Sequence, residues 1–227
     1  MRKILLSLIV IAMCNLSATA QSKTSVTIFG DSYSTYEGWL MPDSMETWYY
    51  KAETSNKRTD VRKVSDTWWW QLIKKKDWKL ERNNSWSGAT VCYTGYDDKD
   101  YTYKSFLTRV DNLGSPDVIL LFCATNDSWC GAPIGEYKYE DWRRADLYTF
   151  RPAFACLLSR LQERYPTAVL YVISNDGLRK EVTESMAAIS SHYGVPMIQL
   201  HDIDKISGHP SVKGMRQIAE QVAAAIR

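Results

Sequence analysis

Five short β-rich runs set the main constraint on this chain: Ser25 to Phe29, Lys79 to Arg82, Asp117 to Phe122, Ala168 to Ser174 and Met197 to Leu200. Helical patterns alternate with them over Asp66 to Lys76, Tyr103 to Asn112, Pro152 to Tyr165, Arg179 to Tyr193 and Ser211 to Ile226. Each repeats apolar residues at intervals of three and four, as Phe154, Leu157, Leu158 and Leu161 do. Pro166 and Gly194 stop two of these runs. Such alternation predicts a parallel sheet with helices on both faces, because a helical crossover returns the chain to the edge where the previous strand began.

The first residues read as an export leader. Arg2 and Lys3 precede an apolar run from Ile4 to Met13, and small residues end at Ala18-Thr19-Ala20 before Gln21. The run is too short for a membrane-spanning anchor, and no other stretch qualifies as one. Residues 1 to 20 are therefore expected to be a signal peptide and 21 to 227 one mature domain, periplasmic or secreted. Lipidation at Cys14 is the weaker reading, because Met13 stands where lipoprotein signals use a small residue.

Loss of Arg2 and Lys3 takes the formal net charge from +2 to zero, so nothing points to nucleic acid. Cys92, Cys123, Cys130 and Cys156 remain, without metal-type spacing. Cys123 falls in an apolar strand and Cys156 on a helix, where free thiols are common, whereas Cys92 and Cys130 fall in loops. If a bridge forms in an oxidising compartment, Cys92 to Cys130 is the expected pair.

Two long segments interrupt the alternation, Tyr33 to Val64 after the first strand and Asp127 to Arg151 after the third. Both follow C-terminal strand ends, the edge at which open parallel sheets bind ligands. They carry Tyr33, Tyr36, Trp39, Trp48, Tyr49, Tyr50, Trp129, Tyr137, Tyr139, Trp142 and Tyr148 among charged residues. Rings with polar tips suit sugar faces better than long acyl chains. The plainer reading is that they pack the long loops onto the domain.

Residues able to carry chemistry cluster at the same edge. Gly30-Asp31-Ser32 follows the first strand, and glycine permits a turn that a side chain would obstruct. The tripeptide alone is weak evidence, since strands often end in such turn residues. Three further signals accompany it. Gly88, in Asn84-Ser85-Trp86-Ser87-Gly88-Ala89, lets a backbone N–H approach a substrate oxygen. Asn126, in Cys123-Ala124-Thr125-Asn126-Asp127, offers a side-chain donor. With the Ser32 N–H these compose an oxyanion hole, in which each donor contributes about 3 kcal/mol to the transition state. Near the C-terminus, His209 precedes Pro210 at the start of the last helix, where an imidazole can take the serine proton and return it.

These four positions resemble the blocks of the SGNH (GDSL-like) hydrolase family, which centre on Ser, Gly, Asn and His. The resemblance spans essentially the whole mature chain. It implies an α/β fold, a three-layer α/β/α sandwich of flavodoxin-like type with a five-stranded parallel sheet. It also implies esterase or lipase chemistry without metal or organic cofactor. No G-x-S-x-G elbow of the α/β-hydrolases is present.

One departure bears on mechanism. The family places an acid three residues before its histidine, and here that position is Ile206. Either Asp204 orients the imidazole, or a backbone carbonyl does so in a Ser-His dyad, the favoured alternative. His201, His192, Asp31 and Asp127 read as structural. The leading expectation is an exported esterase that deacylates a glycan or an acylated small molecule. The alternatives are a lipase or lysophospholipase of the same fold and a glycan-binding module without turnover.

Overall fold

The computed structural model describes residues 22–51 and 58–226. The expected leader and Cys14 lie outside the described residues. Five strands, β1 (Ser25–Gly30), β2 (Lys79–Ser85), β3 (Val118–Cys123), β4 (Val169–Ser174) and β5 (Met197–Gln199), form one sheet in the order β2-β1-β3-β4-β5. Every pairing in it is parallel.

Period-two alternation along the strands divides the core into two layers. Val26, Ile28, Leu120 and Phe122 face α1 (Trp68–Lys76) and α6 (Val212–Ala225). Phe29, Ile119, Leu121 and Cys123 face the short α2 (Phe106–Arg109), α4 (Phe150–Arg164) and α5 (Lys180–His192). The fold is thus the three-layer α/β/α sandwich. Within the Trp68-Trp69-Trp70 run, Trp68 and Trp69 are fully buried, while Trp70 turns toward the boundary as helical spacing requires.

Two elements, β2 and α2, differ most from the periodicity at their boundaries. Strand β2 runs on through Asn83, Asn84 and Ser85, polar residues that are buried yet satisfied. Asn83 Nδ2 donates to Ser34 O at 2.9 Å, Asn84 Nδ2 to Asn112 O at 2.9 Å, and Ser85 Oγ to Asn83 Oδ1 at 2.6 Å. Conversely α2 starts only at Phe106, because Ser105 caps it by accepting the Leu107 N–H at 3.1 Å. The segment 103–105 is held instead by bonds such as Ser105 Oγ to Val91 O, 2.7 Å.

The chain leaves β1 for β2 on one side and returns to β3 on the other, so the topological switch point lies between the C-terminal ends of β1 and β3. Two further elements matter there. The short α3 (Thr125–Trp129) follows β3, and the hairpin of β6 (Lys205–Ile206) and β7 (His209–Pro210) precedes α6.

Helix α6 packs on the segment before that hairpin with no spare room. A Cβ on Gly214 would stand 2.1 Å from the backbone oxygen of Asp204. Gly214→Ala should therefore lower stability by about 1–3 kcal/mol through overpacking. Thermal melts should show a fall of roughly 2–4 °C for each kcal/mol. An unchanged melting temperature would show that the contact yields freely.

Candidate active site

Gly30 ends β1 against Ser34 and Ser85: a Cβ there would lie 2.6 Å from Ser34 Cβ and 2.8 Å from Ser85 Oγ. The absence of a side chain lets the next residues turn at once into the 3-10 turn Ser32–Ser34. Asp31 caps this turn, Oδ1 accepting the Tyr33 N–H at 3.0 Å. The Ser32 hydroxyl is thereby presented at the switch point.

His209 approaches from the far end of the chain. Its hairpin turns through Ser207 and Gly208 with φ of 50° and 77°, the paired left-handed conformations of a tight two-residue connection. Tyr33 Oη donates to Gly208 O at 2.6 Å and Tyr49 Oη to Pro210 O at 3.0 Å, so two buried phenols clamp the residues on either side of the histidine. Its Nε2 lies 2.9 Å from Ser32 Oγ, and its Nδ1 lies 3.2 Å from Ser207 O. A carbonyl only accepts, so Nδ1 carries the hydrogen and Nε2 turns its lone pair to the serine. Burial pushes the His209 pKa down to about 4, with the Ser207 carbonyl opposing and Lys205 adding to the fall. The imidazole is therefore neutral at physiological pH.

Asp204, the orienting acid in one of the two expected alternatives, does not bond to the imidazole. Its carboxylate accepts the Ser211 hydroxyl and lies 3.9 Å from Lys213 Nζ. Ser211 in turn caps α6 through the Gly214 N–H at 3.1 Å. The acid serves the start of the helix, because the tight hairpin that begins at Lys205 carries His209 away from it.

Gly88 and Asn126 reach the same cleft. Gly88 has φ of 75°, and a Cβ there would meet Lys104 Nζ at 3.2 Å. Asn126 Nδ2 donates to Ala89 O at 2.9 Å and its Oδ1 accepts the Tyr96 hydroxyl at 3.0 Å, which fixes the orientation of the amide. Next to it, the buried Asp127 carboxylate accepts the N–H groups of Val91 and Cys92 at 2.8 to 3.0 Å. Asp127 thus ties the β3 turn to the Gly88 loop. Burial raises its pKa to about 6 against those two donors, and burial raises that of Asp31 to about 7.

The cleft between these residues measures about 220 Å³ and is also lined by Trp48, Ser87, Tyr96 and Trp129. Sites for drug-sized ligands occupy roughly 300–1,000 Å³, so this one suits a small group. Trp48 and Trp129 come from the two long segments, whereas Tyr33, Tyr36 and Tyr49 from the first of them are core residues. Packing is thus the role of some of these aromatics and wall-building that of others.

Sequence patterns do not single out Arg109, which sits buried behind the site. Its guanidinium donates to Asn84 O at 2.7 Å, Asn84 Oδ1 at 2.6 Å, Lys104 O at 3.1 Å and Gly30 O at 3.4 Å. Phe29 and Phe106 flank it at 5.0 and 4.6 Å. In sequence it resembles any cation in the last turn of a helix. His201 is exposed beside Asp202, and His192 stacks on Tyr139. The expected bridge does not form: Cys92 and Cys130 are free thiols, and Cys92 Sγ instead lies 3.5 Å from Thr94 O. Among the described residues no His/Cys/Asp/Glu group could hold a metal ion.

Comparison with known proteins accords with this geometry. The GDSL-like lipase/acylhydrolase profile matches residues 24–226. A crystal structure described as a GDSL-like lipase from Bacteroides ovatus is 53% identical, covering 90% of this chain and 98% of that one, with TM-score 0.88. Another from Bacteroides uniformis is 52% identical over 91% and 96%, with TM-score 0.88. A family two carbohydrate esterase from Clostridium thermocellum, solved with cellohexaose, shares the fold at 14% identity over 90% and 64%, with TM-score 0.58. No curated protein matches the chain significantly. The family match over nearly the whole described domain, together with the close likeness to two GDSL-like structures, makes this chain a member of the GDSL-like lipase/acylhydrolase family.

Proposed function

We propose that the protein is an exported serine esterase that removes acetyl or similarly short acyl groups from a carbohydrate, with Ser32 as nucleophile and His209 as base in a dyad. The observation that carries this reading is the 2.9 Å contact of Ser32 Oγ with His209 Nε2 inside a cleft of about 220 Å³. In the proposed sequence Ser32 Oγ attacks the ester carbonyl while its proton passes to Nε2. The oxyanion is met by the N–H groups of Ser32 and Gly88 and by the second N–H of Asn126 Nδ2, the first being held by Ala89 O. Collapse breaks the bond to the leaving oxygen, which takes the proton from Nε2 as the alcohol departs. Water then attacks the acyl-enzyme, giving its proton to Nε2, and Ser32 recovers that proton as the acid leaves.

The small cleft supports a short acyl group, and Trp129 at its wall offers a flat face to a sugar ring. A carbohydrate esterase of the same fold is compatible with that substrate class. Export rests on the Arg2-Lys3 leader pattern. Purified protein should hydrolyse p-nitrophenyl acetate and acetylated oligosaccharides well and long-chain p-nitrophenyl esters poorly. The reverse preference would favour a lipase, and silence on all of them a binding module.

Three variants test the roles. Ser32→Ala should lose several orders of magnitude in kcat while melting like the wild type. Retention of a tenth of the activity would remove Ser32 from its role. Asn126→Ala should lower kcat about 100-fold with little change in KM. Asp204→Asn should have only a mild effect, because its carboxylate is occupied by Ser211.

The pH profile follows from the neutral imidazole that general-base catalysis needs. With the His209 pKa lowered to about 4, kcat/KM should hold level through pH 6 and fall only as pH drops through about 4. An acid limb near 6.5, the ordinary histidine value, would mean that the imidazole is open to water in solution.

A further inference from the structure

His209 is held chiefly by rings. The indole of Trp48 stacks on it at 3.6 Å between centroids and 8° between planes. Tyr33, Trp129 and Tyr49 close the other sides at 5.3, 5.6 and 6.4 Å. Among the described residues no carboxylate bonds to the imidazole. Asp204 is engaged by Ser211, Asp176 is paired with Lys205, and Asp31 is buried in the turn at Ser32. Lys205 is the charged group that acts on the ring, and it opposes a positive charge there.

We propose that Trp48 is the positioning residue that replaces the missing carboxylate, its indole face fixing the plane of His209 and stabilising the imidazolium formed when Ser32 attacks. This inference rests on the dyad reading of the site. A transferred proton leaves a cation on a buried imidazole, and a carbonyl at Nδ1 offers only a partial charge to balance it. The negative face of an indole at stacking distance supplies the rest, in the geometry in which cations bind aromatic rings most favourably.

The backbone of Trp48 is tied to both halves of the machinery. Its N–H donates to Thr35 Oγ1 at 2.9 Å, and that hydroxyl donates to Ser32 O at 2.9 Å. Two residues earlier, Glu46 O accepts the N–H of Ser87 at 2.9 Å and the Glu46 carboxylate pairs with Lys104 at 3.0 Å, beside Gly88. Nucleophile, oxyanion loop and base therefore share one strap, and the indole is its contact with the base. Chance packing of a loop aromatic would not require that registration.

The test replaces Trp48 site-specifically with tryptophans bearing one to four fluorines, which weaken the π face while nearly preserving shape. Single-turnover acylation by p-nitrophenyl acetate is measured at pH 7. The acylation rate should fall step by step with fluorination, about tenfold across the series, with KM unchanged. Trp48→Phe should lie between wild type and Trp48→Leu, both checked for wild-type circular dichroism. A flat fluorine series, or equal rates for Trp48→Phe and Trp48→Leu, would reduce Trp48 to packing and overturn the proposal. A change in KM alone would make it a substrate wall and overturn it equally. Ser32→Ala, His209→Ala and Asp204→Asn run beside these variants. Activity surviving either of the first two, or collapse of the third, sinks the dyad reading itself, whereas a flat series with those controls as expected sinks only the role of Trp48.

Discussion

A hydrogen bond between side chains 177 residues apart can keep its length only if both ends are fixed to one frame. Ser32 directly follows the end of β1, a strand of the sheet interior that is paired on both edges. His209 belongs to no strand of that sheet. Its place comes from a two-residue hairpin turn, from the phenols of Tyr33 and Tyr49 on the flanking carbonyls, and from α6 seated without clearance on the segment before the hairpin. In the proposed dyad a misplacement of about 1 Å would cost on the order of 100-fold in rate, so these remote contacts would bear directly on it.

Beneath the cleft lies a layer of buried charge with a different task. Arg109 joins the ends of β1 and β2 through the carbonyls of Gly30 and Asn84, while Asp127 joins the β3 turn to the Gly88 loop. Burial pulls the Arg109 pKa down to about 9 against the pull of Asp31, and pushes that of Asp31 up to about 7. Such groups are costly to desolvate, and removing one partner of a buried charged set typically destabilises by about 3–5 kcal/mol. Their effect is to hold three separate loops in one register. The aromatic rings around His209 bury the imidazole, and that burial lowers its pKa to about 4.

The chain's own periodicities determined the layers, because a period of two or of 3.6 states which side of an element must leave water, whatever its partners are. Five strands, five helical patterns and their alternation admit few arrangements, and short loop motifs at strand ends marked Ser32, Gly88, Asn126 and His209. Local pattern is silent on contacts between distant segments. Asn83 to Ser85 look like a loop until β1 lies beside them, Asp204 looks available to His209 until Ser211 claims it, and Cys92 and Cys130 look pairable yet stay free. Trp48 lies in a stretch without periodicity, so nothing in its neighbours says that its indole will cover the imidazole. Only the tertiary structure decided that, because the stack depends on how a long loop closes over a sheet edge, and loop packing is set by the sum of many remote contacts rather than by any spacing along the chain.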